Sequence, residues 1–239
     1  MLAINCDLGE FNLKSGRSNP DEEIFPLIQI CNIACGFHAG GPSEMFQSLT
    51  LARKYGVKAG AHTSFPDLTG FGRHYMNIPY EDLKNLILYQ ISALRGMAES
   101  MGMSLYHVKP HGALYNAAMK QEKEANAIIE AVKSNNCNLV ILCQPDSILS
   151  EMSMHHNMQV LREGFADRLY NDDLSLVSRD LEGSVFDTKE KVIDQIIALN
   201  NGSVTTRSGT TQSCHVDTLC IHSESKASIL ALKTLMIKM

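Results

Sequence analysis

At 239 residues, with 44% hydrophobic and 20% charged side chains, the chain has the composition of one folded domain of α/β-barrel size, not of a disordered or fibrous polymer. Its net charge of −5, from 21 basic and 26 acidic residues gathered into no long block, argues against nucleic acid and anionic membrane as partners. No apolar run approaches the roughly 20 residues of a membrane span, and Asp7 and Glu10 stand where a secretory signal would be apolar, so a soluble cytoplasmic protein is expected.

In chain order, short apolar runs alternate with longer stretches of helical period, the pattern of repeated βα units on a parallel sheet. Strands are expected over residues 2–6, 32–35, 58–61, 105–108, 139–143, 159–162 and 218–221. Helices are expected over 21–29, 42–55, 79–101, 122–134, 146–156, 188–200 and 225–237. Pro42, Pro79, Gly56 and Gly102 sit where helix starts and stops need them. Seven strands in strict alternation with seven helices predict an α/β fold, a seven-stranded (β/α) TIM-like barrel forming a single domain over residues 1–239. Two longer polar segments, 63–77 and 164–186, leave strand C-termini and should wall the barrel mouth. The seven cysteines are an odd set without a Cys-x-x-Cys pair, and read as reduced and mostly buried.

The chemistry-bearing residues fall at the expected strand ends. CNIACGFHAG (31–40), VKAGAH (57–62), YHVKPHGALYN (106–116) and LCIHSE (219–224) each place histidine after an apolar run and before a turn, where barrel loops converge on one mouth. Asp7 ends the first run and Glu10 follows it. Asp7, His38 and His62 leave the first three strands, and a carboxylate with two imidazoles is a common ligand set for Zn²⁺ or a similar divalent ion. The alternative is rim histidines that bond backbone carbonyls and bind nothing. His107, Lys109 and His111 alternate along one strand and its exit, so all three should face one side. A buried Lys109 needs a partner such as Asp7 or Glu163, and is then suited to stabilising a carboxylate or an oxyanion. Arg73 and Arg168 lie in the two long segments beside Asp67 and Asp167, and either bind an anionic substrate or staple their loops. No G-x-x-x-x-G-K-[ST] phosphate loop is present.

Taken together, NCDLGE (5–10), NIACGFHAG (32–40), GAH (60–62) with FPD (65–67) and GFGR (70–73), YQISAL (89–94), HVKPHGALYN (107–116), FADR (165–168) and CIH (220–222) resemble the LamB/YcsF family over nearly the whole chain. The resemblance implies a barrel like those of the glycoside hydrolase and polysaccharide deacetylase group. It further implies the role of the A-type subunit of the ATP-dependent 5-oxoprolinase, which with two partner subunits opens the lactam of 5-oxoproline to glutamate while hydrolysing ATP. On that reading Asp7, Lys109 and His111 are catalytic, with Asp7 or His111 as the base. Glu10, Arg73, His107, Glu163, Arg168 and His222 contact substrate, and ATP acts in the assembled complex. A divalent metal on Asp7, His38 and His62 is a candidate cofactor, and self-association stays open. The chain departs from the family pattern at Gly41, Leu169, Ser178 and Ser223–Glu224–Ser225, the last replacing a Gly-Asp turn of the anion-binding type. Two other classes are therefore weighed: a stand-alone metal-dependent deacetylase or amidohydrolase acting on a carbohydrate or small amide, and a diverged non-catalytic binding subunit.

Overall fold

A computed structural model describes residues 2–11, 20–135 and 138–237. Nine strands form among the described residues: β1 (Ala3–Leu8), β2 (Ile30–Ala34), β3 (Lys58–Thr63), β4 (His107–Pro110), β5 (Val140–Cys143), β6 (Val160–Phe165), β7 (Ser203–Thr205), β8 (Thr211–Ser213) and β9 (Thr218–His222). Seven of them close into a parallel barrel in the order β1-β2-β3-β4-β5-β6-β9, the expected architecture. The helices are α1 (Pro42–Tyr55), α2 (Tyr80–Ser100), α3 (Gly112–Ala118), α4 (Glu122–Ser134), α5 (Ile148–His155), α6 (Lys189–Asn200) and α7 (Lys226–Ile237).

The period-2 alternation of the strands decides what faces the lumen. Along β1, Ile4, Cys6 and Leu8 join the apolar core while Asn5 and Asp7 make hydrogen bonds across the barrel interior. The outer faces are closed by helices with apolar stripes. In α2 the residues Leu83, Ile87, Ile91, Leu94 and Ala98 recur at helical spacing and are fully buried. Each large aliphatic side chain on such a stripe contributes about 1.5–3 kcal/mol of burial free energy. Gly56 ends α1 in the left-handed conformation (φ 67°), its N–H reaching the Ala52 and Arg53 carbonyls, as its position predicts.

Four expectations are corrected. Residues 21–29 form two 3-10 turns, Pro20–Glu23 and Phe25–Leu27, in place of a helix, because Pro26 withholds a donor and the bonds run from Ile24 N to Asp21 O and Leu27 N to Ile24 O. An unexpected short helix, α3, follows β4, and an unexpected two-stranded antiparallel ribbon, β7 with β8, precedes β9. Finally, β1, β3 and β4 run two residues further than expected, so Asp7, His62 and Lys109 lie within the strands themselves. The six described cysteines are free and buried; Cys137 lies outside the described residues. Among the described residues, no helix is long and apolar enough to cross a membrane.

Candidate functional site

The strand register brings the polar residues to one level at the C-terminal end of the barrel. Asp7 pairs with Asn32 on one side and His222 on the other, and His62 pairs with both Ala34 and Lys109. Above them opens a cavity of about 490 Å³, with Asp7, Glu10, His62, Lys109, His111 and His222 on its wall. Phe71 and Arg73 from the loop after β3, and Leu176 to Asp180 from the loop after β6, complete the enclosure.

Lys109 supplies the positive charge in the floor. Its ammonium lies 2.8 Å from Asp7 Oδ1 and 2.8 Å from Glu163 Oε1, with Cys220 Sγ at 3.2 Å. Burial works against its charge, but Asp7, Cys220 and Glu163 hold its pKa well above the ordinary lysine value. Burial alone would raise Asp7; His62 and Lys109 outweigh that and keep the carboxyl well below its usual range. Asn32 Nδ2 donates to Asp7 Oδ1 at 2.7 Å, and Tyr115 donates to Glu163 Oε2 at 3.1 Å. Lys109 is therefore a fixed ammonium, with most of its donors already committed to the protein.

A second group surrounds Glu10. The turn after β1 is tied down by Asp21, whose carboxylate accepts the Gly9 N–H at 2.7 Å, and this aims Glu10 into the mouth. His38 Nε2 is 3.1 Å from Glu10 Oε1, and His62 Nε2 is 3.0 Å from His111 Nδ1. Glu10, His38, His62 and His111 each offer a ligand atom within 4.8 Å of the others, a cluster able to hold a metal ion. Burial, reinforced by neighbouring imidazoles, holds His38 and His111 well below the ordinary histidine value and so disfavours protonation of both rings. His111 is placed by Gly112, whose φ is +54° and where a Cβ would run into the Gly72 carbonyl, so only glycine fits. The Ala113 N–H donates to that same carbonyl at 2.8 Å, docking the β3 loop against α3.

The third group is a carboxylate and imidazole dyad. Asp167, fully buried, accepts from His222 Nδ1 at 3.0 Å, from the His222 N–H at 3.1 Å and from Ser228 Oγ at 3.2 Å. That bond fixes the proton on Nδ1 and turns Nε2 toward the cavity, 3.9 Å from Asp7 Oδ2. Burial opposes protonation of His222, yet Asp167 lifts its pKa above the ordinary value.

Of the residues singled out from sequence, Asp7, Glu10, His62, Arg73, Lys109, His111, Arg168 and His222 all line the cavity. His38 backs Glu10. His107 lies beneath, its Nε2 2.6 Å from Asn32 Oδ1 and its ring filling the space a side chain at residue 60 would need. Burial, then the Lys109 charge, pushes His107 down to about 3. Glu163 is likewise buried under Lys109. Asp7 falls outside the His38 cluster and groups with Cys220 and His222. The arginine partners differ from expectation. Asp67 takes His74 Nδ1 at 3.1 Å, while Arg168 donates to the Ser184 and Val177 carbonyls and so fastens the long loop. Glu224, in the diverged turn, pairs with Arg179 at 3.1 Å and ties the loop after β9 to the loop after β6. Sequence reasoning missed the role of Asp167, because proximity in FADR pointed to Arg168 and the true partner is 55 residues away.

Fold and site together define a seven-stranded parallel barrel with a polar lumen and a histidine- and carboxylate-rich mouth. The sequence pattern of the LamB/YcsF family matches residues 2–238, and the chain belongs to that family. It is 40% identical over 227 residues to the A-type 5-oxoprolinase subunit of Pyrococcus abyssi, covering 95% of this chain and 89% of the relative. The corresponding 5-oxoprolinase subunit of Acinetobacter baumannii (strain ACICU) is 41% identical with the same coverage. Among solved structures, the lactam utilization protein of Thermus thermophilus superposes with a TM-score of 0.88 at 34% identity, covering 98% of this chain and 97% of the other. A putative cellobiose-phosphate cleavage protein of Enterococcus faecalis shares the fold alone, with a TM-score of 0.54 at 12% identity.

Proposed function

We propose that this chain, as a single barrel domain, is the A-type subunit of an ATP-dependent 5-oxoprolinase. It would open the lactam of 5-oxoproline to glutamate together with two partner subunits. The observation that carries this reading is the polarity of the cavity. Its floor holds Asp7, Lys109, Glu10 and three imidazoles, while Arg73, Lys120 and Arg179 stand among the exposed or half-buried side chains around it. A small molecule with a carboxylate at one end and a cyclic amide at the other fits that division: the carboxylate meets the guanidinium groups and the amide reaches the floor. The names of the relatives supply the lactam.

Hydrolysis of an unstrained lactam is slow, which is the chemical reason for coupling to ATP. With the amide oxygen activated by phosphoryl transfer in the assembled complex, water adds to the carbonyl carbon. The added water gives its proton to the Asp7 carboxylate, the C–N bond breaks with its electron pair leaving on nitrogen, and the resulting acyl phosphate is hydrolysed by a second water to glutamate and inorganic phosphate. His222, whose protonated form Asp167 favours, is placed to give nitrogen its proton as general acid. Lys109 keeps Asp7 ionised beside the reaction and supplies positive potential where oxygen gains charge. The buried free thiols and the need for ATP fit the reducing cytoplasm.

The test is reconstitution: this chain mixed with the two partner subunits and ATP should release glutamate from 5-oxoproline, and omission of any component should abolish it. The histidine cluster favours one competing reading, a metal-dependent amidohydrolase. ATP-independent hydrolysis of an amide or acetylated sugar by the isolated chain would replace the first reading with the second.

A further inference from the structure

The hydrogen bonds around Glu10 fix the state of three imidazoles, and ring opening on the Lys109 side leaves that arrangement unexplained. His62 Nδ1 lies 3.0 Å from the Lys109 carbonyl, which only accepts, so Nδ1 carries a proton and Nε2 is the nitrogen presented to the mouth. His111 Nε2 lies 2.8 Å from the Phe71 carbonyl, which leaves the lone pair on Nδ1. Ser64 Oγ donates to the Phe65 carbonyl at 3.0 Å and therefore accepts from His38 Nδ1 at 2.9 Å, so His38 Nε2 is also a lone pair. Each ring is thus held from behind by an acceptor, the arrangement by which metal-ligating histidines are oriented.

The three free nitrogens face one another and Glu10 Oε1. The separations are 3.0 Å for His62 to His111, 3.1 Å for His38 to Glu10, 3.7 Å for His111 to Glu10 and 3.9 Å for His62 to Glu10, and His62 Nε2 also lies 3.3 Å from Asp7 Oδ2. Four candidate ligand atoms converge within 4.8 Å of one another, and the His38 and His111 rings stack 3.8 Å apart at 6°, a contact suited to neutral rings. Metal–nitrogen bonds of about 2.0–2.1 Å place neighbouring ligands of a tetrahedral ion about 3.3–3.4 Å apart, inside the observed spread.

We propose that Glu10, His38, His62 and His111 hold one divalent transition metal ion of the zinc class, with the carboxylate ligand coming from Glu10, while Asp7 pairs with Lys109 through Oδ1 and borders the site through Oδ2, 3.3 Å from His62 Nε2. Three nitrogens and one oxygen suit Zn²⁺, Co²⁺ or Mn²⁺ over Ca²⁺ or Mg²⁺. Glu10, His62 and His111 line the cavity, so an ion there meets solvent and can take a water or a substrate oxygen. The inference deepens the lactam-hydrolase reading by naming an electrophile for the same cavity, but its test needs no turnover.

The test uses the full chain without a histidine tag, stripped with chelator, loaded separately with Zn²⁺, Co²⁺ and Mn²⁺, desalted and subjected to elemental analysis. One ion per chain is expected for at least one metal, with a rise in melting temperature of about 5–10 °C. Co²⁺ should give the visible bands of a nitrogen and oxygen site of low coordination number. Glu10→Gln and His38→Ala, each checked for folding by its metal-free melt, should weaken binding at least about tenfold, while His155→Ala on the surface should not. Less than a tenth of an ion per wild-type chain for every metal overturns the proposal, as does undiminished binding in the Glu10→Gln, His38→Ala double variant. If the variants do not fold, the wild-type Co²⁺ spectrum decides, and its absence is equally fatal. Stoichiometric metal with a silent 5-oxoproline assay keeps the ion and removes the lactam reading. ATP-dependent turnover by fully metal-free complex keeps the lactam reading and removes the ion.

Discussion

The two halves of the mouth handle buried charge in opposite ways. At the ends of β1, β4 and β6, Asp7 and Glu163 share the Lys109 ammonium, so the protein supplies its own cation. Beside it, Glu10 faces the imidazoles of His38, His62 and His111, and burial disfavours a proton on His38 and His111, so this group brings little positive charge of its own to Glu10. A buried carboxylate is tolerated only when something positive or donating meets it. The same barrel end therefore contains one self-neutralised group and one group suited to taking its positive charge from a ligand, and substitutions should separate them.

The largest effect is expected at Lys109. Lys109→Met removes the cation between two buried carboxylates, and should destabilise the chain by about 3–5 kcal/mol as well as stop turnover, measured by denaturant melts and the glutamate assay. Adding Asp7→Asn should recover a large part of that stability without recovering activity. A single variant as stable as wild type would show that the floor does not depend on its ammonium.

Next comes the dyad. Asp167→Asn should lower turnover by about 10²–10³-fold, because the amide no longer fixes the imidazolium. The groups facing His222 are Asp167, Asp7 and Arg179, and the Asp167 carboxylate outweighs Arg179. The folded His222 value is raised, so its contribution to stability is present below the unfolded value of about 6.5 and fades as pH rises through the folded one. Asp167 is depressed, so its contribution is present above the unfolded value of about 3.9 and is lost as pH falls through the folded one. The stability difference between wild type and Asp167→Asn should thus peak in mildly acidic solution and shrink above neutrality. Turnover should fall as alkali deprotonates His222, and that limb should move to lower pH in the variant. Melts and kcat profiles across pH check both; an unmoved limb would remove His222 as the acid.

Smaller again is Gly112→Ala, which places a methyl against the Gly72 carbonyl at a positive φ and should cost about 1–3 kcal/mol. It should loosen the β3 loop around His111 and leave the Asp7–Lys109 pair alone, so a loss of metal binding larger than any change at the Lys109 side would sharpen the division. The smallest effect on stability belongs to Arg73, exposed over the Phe71 ring at 5.1 Å. Arg73→Gln should change stability by no more than about 0.5 kcal/mol and raise KM for 5-oxoproline with kcat little altered. A changed kcat with unchanged KM would move Arg73 from substrate binding to the reaction itself.

Much of this was legible in the sequence for a physical reason. Parallel strands packed under helices alternate with stretches of helical period, and the run from Lys58 to Ala61 or the stripe through Leu83, Ile87 and Ile91 announces itself. The histidines at 38, 62, 111 and 222 could be assigned to one end of the barrel because each followed a strand. What stayed hidden depended on distance in sequence or on weak local signals. The C-terminal part of a strand carrying Asp7 or Lys109 does not look like a strand, since its inward residues are polar. The three-residue strands Ser203–Thr205 and Thr211–Ser213 carry no apolar pattern at all. Pairings such as Asp167 with His222 join residues that only the closed barrel brings together, and the choice of Glu10 over Asp7 beside His38 turns on how Asp21 folds the first loop. Periodicity fixes elements, whereas side-chain partnership across a barrel follows from register.

The central claim is that ring opening takes place in the mouth of this barrel, with the partner subunits and ATP serving it. The most direct measurement is glutamate release from 5-oxoproline by the complete three-subunit mixture with ATP, comparing wild type with the stability-compensated Asp7→Asn, Lys109→Met chain. Assembly is verified first by co-elution with the partners. The double variant should assemble and release glutamate at least about 10²–10³-fold more slowly. Wild-type glutamate release from the assembled double variant would contradict it, and would put the chemistry elsewhere in the complex.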